Sequence, residues 1–466
     1  MERLSGLDAS FLYFETSRVH MHVVALVVLD TSTMPDGYSF DTIRSLVAAR
    51  LPLVPQFTRK LARVPFDLHH PVWVQDDDVD LDFHIRRVGC PAPGTTAELA
   101  AITADIAGRP LDRDRPLWEM SVVEGLAGGR VALVVKMHHC TIDGVSGANL
   151  MAQFFDLEQN PAPQPPADPP KADRAPSDLE LVSYALVSRA RRPVQTLRTV
   201  ARTVTAAARF VDIRRNRDNA SGMPAPFAAP RSRFNAPVSA HRTVAFVDVP
   251  LDDIKKIKTR FQTTVNDVVL AVCGGAIRRY LERRDELPAR SLTAVIPVSV
   301  RSEEATIGSN QVSAMFTTLG TAVDDPGDRL REIHEANEGA KAEHHAIGAD
   351  TLRNWAEFPA PATFALAARV YTALRVGDRT PPPYNVIISN VPGPPFPLYL
   401  AGGRVEALYP LGPVFDGLGL NVTVLSYIDS VGFGFIADRD AVPDLAELAS
   451  LVPDAIGELI EATTSI

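Results

Sequence analysis

The chain has 466 residues, 46% of them hydrophobic and 22% charged, which excludes wholesale disorder and fibrous repeats and suits two large domains. Forty-seven lysines and arginines against 56 aspartates and glutamates leave a formal charge of −9, the wrong sign for a nucleic-acid binder. Three cysteines without paired spacing (Cys90, Cys140, Cys273) argue against a disulfide framework and for a reducing compartment. No run approaches the roughly 18 consecutive apolar residues of a spanning helix. The opening residues lack the basic-then-apolar pattern of a signal peptide. The expectation is a cytoplasmic protein, with peripheral attachment to a membrane left open.

In chain order, residues 21–29 form an aliphatic, β-branched run that reads as a strand, and 39–51 carry helical spacing through Ile43, Leu46 and Val47 before Pro52. Residues 118–124 and 130–137 read as a hairpin joined by a glycine-rich turn at 125–129, followed by a helix over 146–157 with Leu150, Met151, Phe154 and Phe155 on its apolar side. Seven prolines within 161–176 exclude a regular helix or central strand and predict a stiff surface linker. An arginine-studded helical stretch spans 179–217, interrupted by Pro193, and a second proline-rich segment spans 221–237. The second half restarts with a strand at 243–249 and helices at 251–260 and 266–284. Strands follow at 292–300, 312–319, 384–389, 420–427 and 431–437, and a terminal helix at 445–460. The pattern predicts an α/β domain over 1–160, a linker and crossover over 161–240, and a second α/β domain over 241–466.

Of the three adjacent histidine pairs, His69–His70, His138–His139 and His344–His345, one sits in a chemically suggestive place. The run Val131 to Met137 delivers His138 and His139 to a strand end, and Asp143–Gly144 makes a turn before the next helix. Successive strand side chains face opposite sides, so the two imidazoles do not enter one pocket. That makes them poor partners for one ion, and no cysteine or carboxylate cluster completes a metal set. One imidazole titrating near neutrality, with an aspartate four residues on, suits a positioned general base. Packing in the core is the plain alternative for an arbitrary doublet.

His138, His139, Cys140, Thr141, Ile142, Asp143 and Gly144 match HHxxxDG, the signature of the coenzyme A-dependent acyltransferase superfamily, which includes chloramphenicol acetyltransferase-like enzymes and peptide condensation domains. Pro116–Leu117–Trp118, Asn266–Asp267, the run from Pro297 to Arg301, the run from Ser389 to Pro394 and the opening from Leu4 to Phe11 further resemble the bacterial wax ester synthase/diacylglycerol acyltransferase family. The resemblance implies two chloramphenicol acetyltransferase-like α/β domains, with mixed, largely antiparallel sheets flanked by helices, joined by a long crossover and with the site in a tunnel between them. It implies His139 as base, His138 supporting the strand end from the other side, and Asp143 holding local structure through an arginine, for which Arg301 is nominated. The implied reaction carries a long-chain acyl group from acyl-CoA, a co-substrate in place of any resident cofactor, to diacylglycerol. A fatty alcohol, giving wax ester, is the next acceptor. A non-catalytic lipid-droplet or membrane-associated binding protein of the same fold is the alternative from another class.

Asn266 stands where Thr263–Thr264–Val265 gives way to an apolar helix, so it reads either as an oxyanion donor or as an N-cap. Trp118 reads as hairpin packing. Gly393 reads as backbone freedom between prolines, and Asn421 with Thr423 as one face of a half-buried strand. The run from Gly144 to Ala148 mimics a hydrolase nucleophile elbow around Ser146, but Ala148 stands where that motif requires glycine. The arginine-rich stretch reads either as a lipid-facing helix or as a solvated helix packed across two domains.

Overall fold

The computed structural model describes residues 2–141, 151–162, 177, 179–183, 228–299, 312–347 and 381–464. Asp143, Ser146, Arg301, nearly all of the proline-rich linker and most of the arginine-rich stretch lie outside them.

The first half runs β1 (Glu2–Arg3), α1 (Gly6–Phe14), β2 (His22–Asp30), α2 (Phe40–Arg50), β3 (Arg59–Ala62), β4 (Val72–Gln75), α3 (Leu81–His84), β5 (Ile85–Gly89), α4 (Thr96–Ala107), β6 (Trp118–Glu124) and β7 (Val131–His138). The second runs β8 (Arg242–Pro250), α5 (Leu251–Phe261), α6 (Val265–Glu282), β9 (Thr293–Ser299), β10 (Val312–Thr318), α7 (Pro326–Ile347), β11 (Val386–Val391), β12 (Tyr399–Leu400), β13 (Gly403–Leu411), β14 (Leu420–Tyr427), β15 (Ser430–Asp438), α8 (Leu445–Ser450) and α9 (Val452–Thr464).

Among the described residues, two six-stranded mixed sheets dominate. The first has the order β12-β13-β2-β7-β6-β5, antiparallel except for the β5–β6 pair; the second has the order β10-β9-β11-β14-β15-β8, with β11 parallel to both neighbours. A small sheet, β1-β4-β3, sits beside the first. The predicted hairpin is β6–β7, and β14 matches its expected span residue for residue. Two strands from the second half of the chain, β12 and β13, cross over into the first sheet, β13 pairing with β2 over Arg404–Asp30 to Leu411–Val24. The expected unit 241–466 therefore does not coincide with one sheet, because its residues 399–411 complete the other.

Alternation along β2 divides the first sheet into two faces. Val27 and Leu29 pack with Ile43 and Val47 of α2, Phe57 and Trp118. Val24, Leu26 and Val28 pack with α4 and with Val244 and Ile436 of the second sheet, so this face is the seam between the halves. Trp118 does the packing expected of it: it is buried, its Nε1 donates to the Phe57 carbonyl at 2.9 Å, and its ring stacks between Phe57 and His84 at 4.6 and 4.4 Å.

The seam depends on small residues. On β15, Gly432 and Gly434 alternate with Phe433 and Phe435, which belong to the core of the second half. A Cβ at Gly432 would lie 2.9 Å from the Leu408 carbonyl oxygen, and one at Gly434 would collide with that of Pro410. The phenylalanines fill one face while bare backbone on the other lets β13 approach.

Four local readings change. The terminal helix is two helices, divided at Leu451 with Pro453 in the first turn of the second, where a missing N–H costs nothing. Gly393 has no positive φ; it is required because any Cβ there would strike the Ser426 carbonyl. Asn421 and Thr423 are buried, as is the opposite face of β14, because they look into the seam, where Asn421 Nδ2 donates to the Pro413 carbonyl at 2.9 Å. Asn266 is not an N-cap. Thr264 caps α6, its hydroxyl accepting from the Asp267 N–H at 3.2 Å while the Asp267 carboxylate accepts from the Thr264 N–H at 2.9 Å.

Candidate active site

The site is built at the end of β7. Its last residue, His138, pairs across to His22 of β2 and donates its backbone N–H to the Leu117 carbonyl at 3.0 Å. The chain then tightens into a 3₁₀ turn over His139–Thr141. Three bonds hold that turn: His139 N–H to the Met21 carbonyl at 2.7 Å, Cys140 N–H to His138 Nδ1 at 3.1 Å, and Thr141 Oγ1 to the His138 carbonyl at 2.7 Å.

The two imidazoles have different surroundings, His138 being the last residue of the strand and His139 the first of the 3₁₀ turn. His138 is buried on the same face as Lys136. Because its Nδ1 accepts a backbone N–H, the neutral ring carries its proton on Nε2, which lies 3.3 Å from Glu15 Oε2. His139 instead lies against α1, its ring stacked on Phe11 with centroids 4.1 Å apart and planes at 26°. Phe11 packs in turn against the cluster of Val19, Met21 and Val238, which Phe415 also joins, so His139 stands where residues of both halves converge.

Low dielectric sets the protonation states. Burial pushes the partly buried His139 imidazole down to about 4, so near neutrality it is the uncharged form able to accept a proton. His138 is lowered chiefly by burial, against the opposing pull of Glu15. Burial opposes ionisation of Glu15 as well, but the adjacent His138 imidazole and the Arg113 guanidinium, which donates to it, outweigh burial and hold the carboxyl below its ordinary value. Burial pushes the Cys140 thiol well above 9, so it is no competing nucleophile. Lys136, fully buried, donates to the Ile106 and Arg109 carbonyls at 3.3 and 3.0 Å and lies 3.2 Å from Glu119 Oε2.

Of the residues chosen from sequence, the structure places His138 and His139 as expected at the strand end. Asn266 is partly buried on the first turn of α6. The contacts described for the doublet come from α1, β2 and the loop before β6, and Asn266 is not among them. Its neighbour Asp267 serves the fold instead, accepting from Asn337 Nδ2 at 2.6 Å and lying 2.8 Å from His334 Nδ1, which ties α6 to α7. Sequence reasoning missed Phe11, Glu15 and Arg113. Phe11 closes the opening motif, but Glu15, one helical turn on, and Arg113 carry no local signal of their role.

Residues 4–269 match the model of the wax ester synthase/diacylglycerol acyltransferase catalytic domain, and 308–460 that of the C-terminal domain of the same family. A Mycobacterium tuberculosis (strain ATCC 25618 / H37Rv) protein carrying a provisional diacylglycerol O-acyltransferase name is 41% identical over 465 residues, covering 99% of this chain and 91% of its own. Another from the same strain, named likewise, is 37% identical and covers 96% and 94%. Among solved structures, the wax ester synthase/diacylglycerol acyltransferase of Marinobacter aquaeolei VT8 superposes with a TM-score of 0.70 at 29% identity over the full length of both chains. The first condensation domain of the CDA synthetase shares the fold, with a TM-score of 0.57 at 13% identity, covering 99% of this chain and 96% of its own. These likenesses bear out the chloramphenicol acetyltransferase-like fold class expected from the sequence. The chain belongs to the wax ester synthase/diacylglycerol acyltransferase family.

Proposed function

We propose that the chain moves a long-chain acyl group from its coenzyme A thioester to the free hydroxyl of diacylglycerol, forming triacylglycerol, with His139 as the general base. The observation that carries this reading is an imidazole stacked on Phe11 at a strand end where both halves meet, in a chain of this acyltransferase family. The hydroxyl oxygen attacks the thioester carbonyl as His139 takes its proton. The C–S bond of the tetrahedral intermediate then breaks, and the same proton passes from His139 to the departing thiolate. Both substrates meet at one base, so no covalent enzyme intermediate is needed. In this reading Asn266 is the donor to the oxyanion, and Asp143 holds local structure through an arginine, Arg301 being the one nominated.

Among the described residues no helix is long and apolar enough to cross a membrane. Diacylglycerol is confined to lipid phases by its acyl chains, so the enzyme meets it at the surface of a membrane or droplet.

An acceptor panel tests the proposal: palmitoyl-CoA with diacylglycerol, monoacylglycerol, hexadecanol or water alone, read by product identity. Triacylglycerol as the dominant product supports it. Wax ester as the dominant product moves the acceptor to fatty alcohols, free palmitate alone makes the chain a thioesterase, and no thiol release with any acceptor makes it a binding protein.

A further inference from the structure

The opening motif is explained only in part by helix capping. Ser5 accepts from the Asp8 N–H at 3.0 Å, and Leu4 at the preceding position packs with Ala9 and Leu12, so Leu4–Asp8 starts α1 by a side-chain cap and an apolar staple. Neither device needs an aromatic ring at 11 or a carboxylate at 15.

Those two side chains grip the doublet from one helix. Phe11 lies flat on His139. One turn on, the C-cap residue Glu15 has a side chain only 8% exposed, aimed at His138 Nε2. Its position is fixed in turn by Arg113, whose Nε donates to Glu15 Oε2 at 3.0 Å and whose Nη2 donates to the same oxygen and, at 2.9 Å, to the Leu12 carbonyl at the end of α1. A buried carboxylate is a costly way to fill space, and an apolar side chain of similar volume commonly does as well or better for stability alone. A carboxylate that accepts directional hydrogen bonds from a guanidinium and lies 3.3 Å from an imidazole nitrogen instead fixes orientation, since the guanidinium bonds hold it where it faces that ring. We propose that α1 is a positioning element for the base: Phe11 sets the plane of the His139 ring, while Glu15, held by Arg113, locks His138 and with it the 3₁₀ turn that presents His139.

This inference rests on His139 being the base. Among the described residues, the charged and titratable groups facing the doublet are Asp8 on α1 and Glu15 at its C-cap, Arg113 in the loop before β6, Lys136 on β7, and His20 with His22 at the start of β2.

The test is steady-state kinetics of the full-length protein with palmitoyl-CoA and diacylglycerol, corrected for the folded fraction by near-UV circular dichroism. Four variants are compared: F11L, which keeps apolar bulk without a flat face; F11Y, which restores the face; E15Q, which keeps shape without charge; and H139A as the reference. F11L and E15Q are expected to lower kcat by roughly 10- to 100-fold, the usual effect of a misplaced catalytic group, with KM for both substrates within about twofold and F11Y close to wild type. F11L is also expected to raise the acid midpoint of kcat/KM from about 4 toward the 6.5 of a hydrated imidazole, because water reaches the uncovered ring. If H139A is inactive while F11L and E15Q keep wild-type kcat per folded molecule, or lose activity only through KM or unfolding, α1 is merely structural and the inference falls while the base assignment stands. If H139A stays active, the base assignment itself falls.

Discussion

The acid limb of the pH–rate profile follows directly from where His139 sits. Burial holds its imidazole at about 4 instead of 6.5, so the proton-accepting form persists far into the acid range. At pH 5.5 an imidazole titrating at 6.5 is only about 9% neutral, whereas one titrating at 4 is about 97% neutral, a tenfold difference in available base. At pH 5.0 the ratio widens to about 30. The arrangement trades basicity for occupancy: the ring is a weaker base than an ideal catalyst, but essentially every molecule carries it in the working state. The assay is kcat/KM for transfer from radiolabelled palmitoyl-CoA to diacylglycerol between pH 4.5 and 8, counting the triacylglycerol product and keeping to conditions where the near-UV spectrum is unchanged. Activity should stay nearly flat from neutrality down to about pH 5. A midpoint near 6.5 would show that the ring titrates as it does in water and would refute the burial argument.

Stability should fall over the pH range in which activity does not. Burial lowers His20, His22, His84 and His138 below 6.5 in the fold, so the unfolded chain binds protons first as the pH drops. Their contribution is complete above 6.5 and is lost progressively toward the folded values, at up to about 1.4 kcal/mol per pH unit for each histidine; urea midpoints at pH 7.5, 6.5 and 5.5 measure it, and a flat series would contradict it. Arg50 and Asp156, 12% and 8% exposed, pair at 2.6 Å, so D156A should cost roughly 3–5 kcal/mol by stranding a buried guanidinium, while R50M/D156L should recover most of it. At the seam, G434A should cost at least about 1–3 kcal/mol because the new methyl strikes the Pro410 carbonyl, measured by chemical denaturation. G457A, with open space around its Cβ on α9, should instead stabilise by roughly 0.5–1 kcal/mol.

The parts of this molecule legible in sequence are those whose signal is local. Aliphatic runs such as Val131 to Met137, bounded by glycines or polar turns, announce strands because a buried strand needs little else. The doublet was legible for the same reason, standing where such a run ends. Pairings distant in sequence were not legible. Nothing in the alternation of residues 403–411 says that they will close a sheet begun at His22, almost 400 residues earlier. The role of Gly434 depends on that crossing and was equally hidden. Likewise, Glu15 looks like any carboxylate at a helix end until the fold returns Arg113 and His138 to it. Asn266 misled in the opposite direction: a polar residue before an apolar helix resembles a cap, but Thr264 with Asp267 had already filled that position.

The most direct measurement of the base is the turnover of H139A, taken as triacylglycerol formed per folded enzyme under saturating palmitoyl-CoA and diacylglycerol. Removing a general base should lower kcat by roughly 10²- to 10⁴-fold, with an unchanged near-UV spectrum. An H139A enzyme within tenfold of wild type would contradict the assignment of the base, and with it the role argued for the strand end.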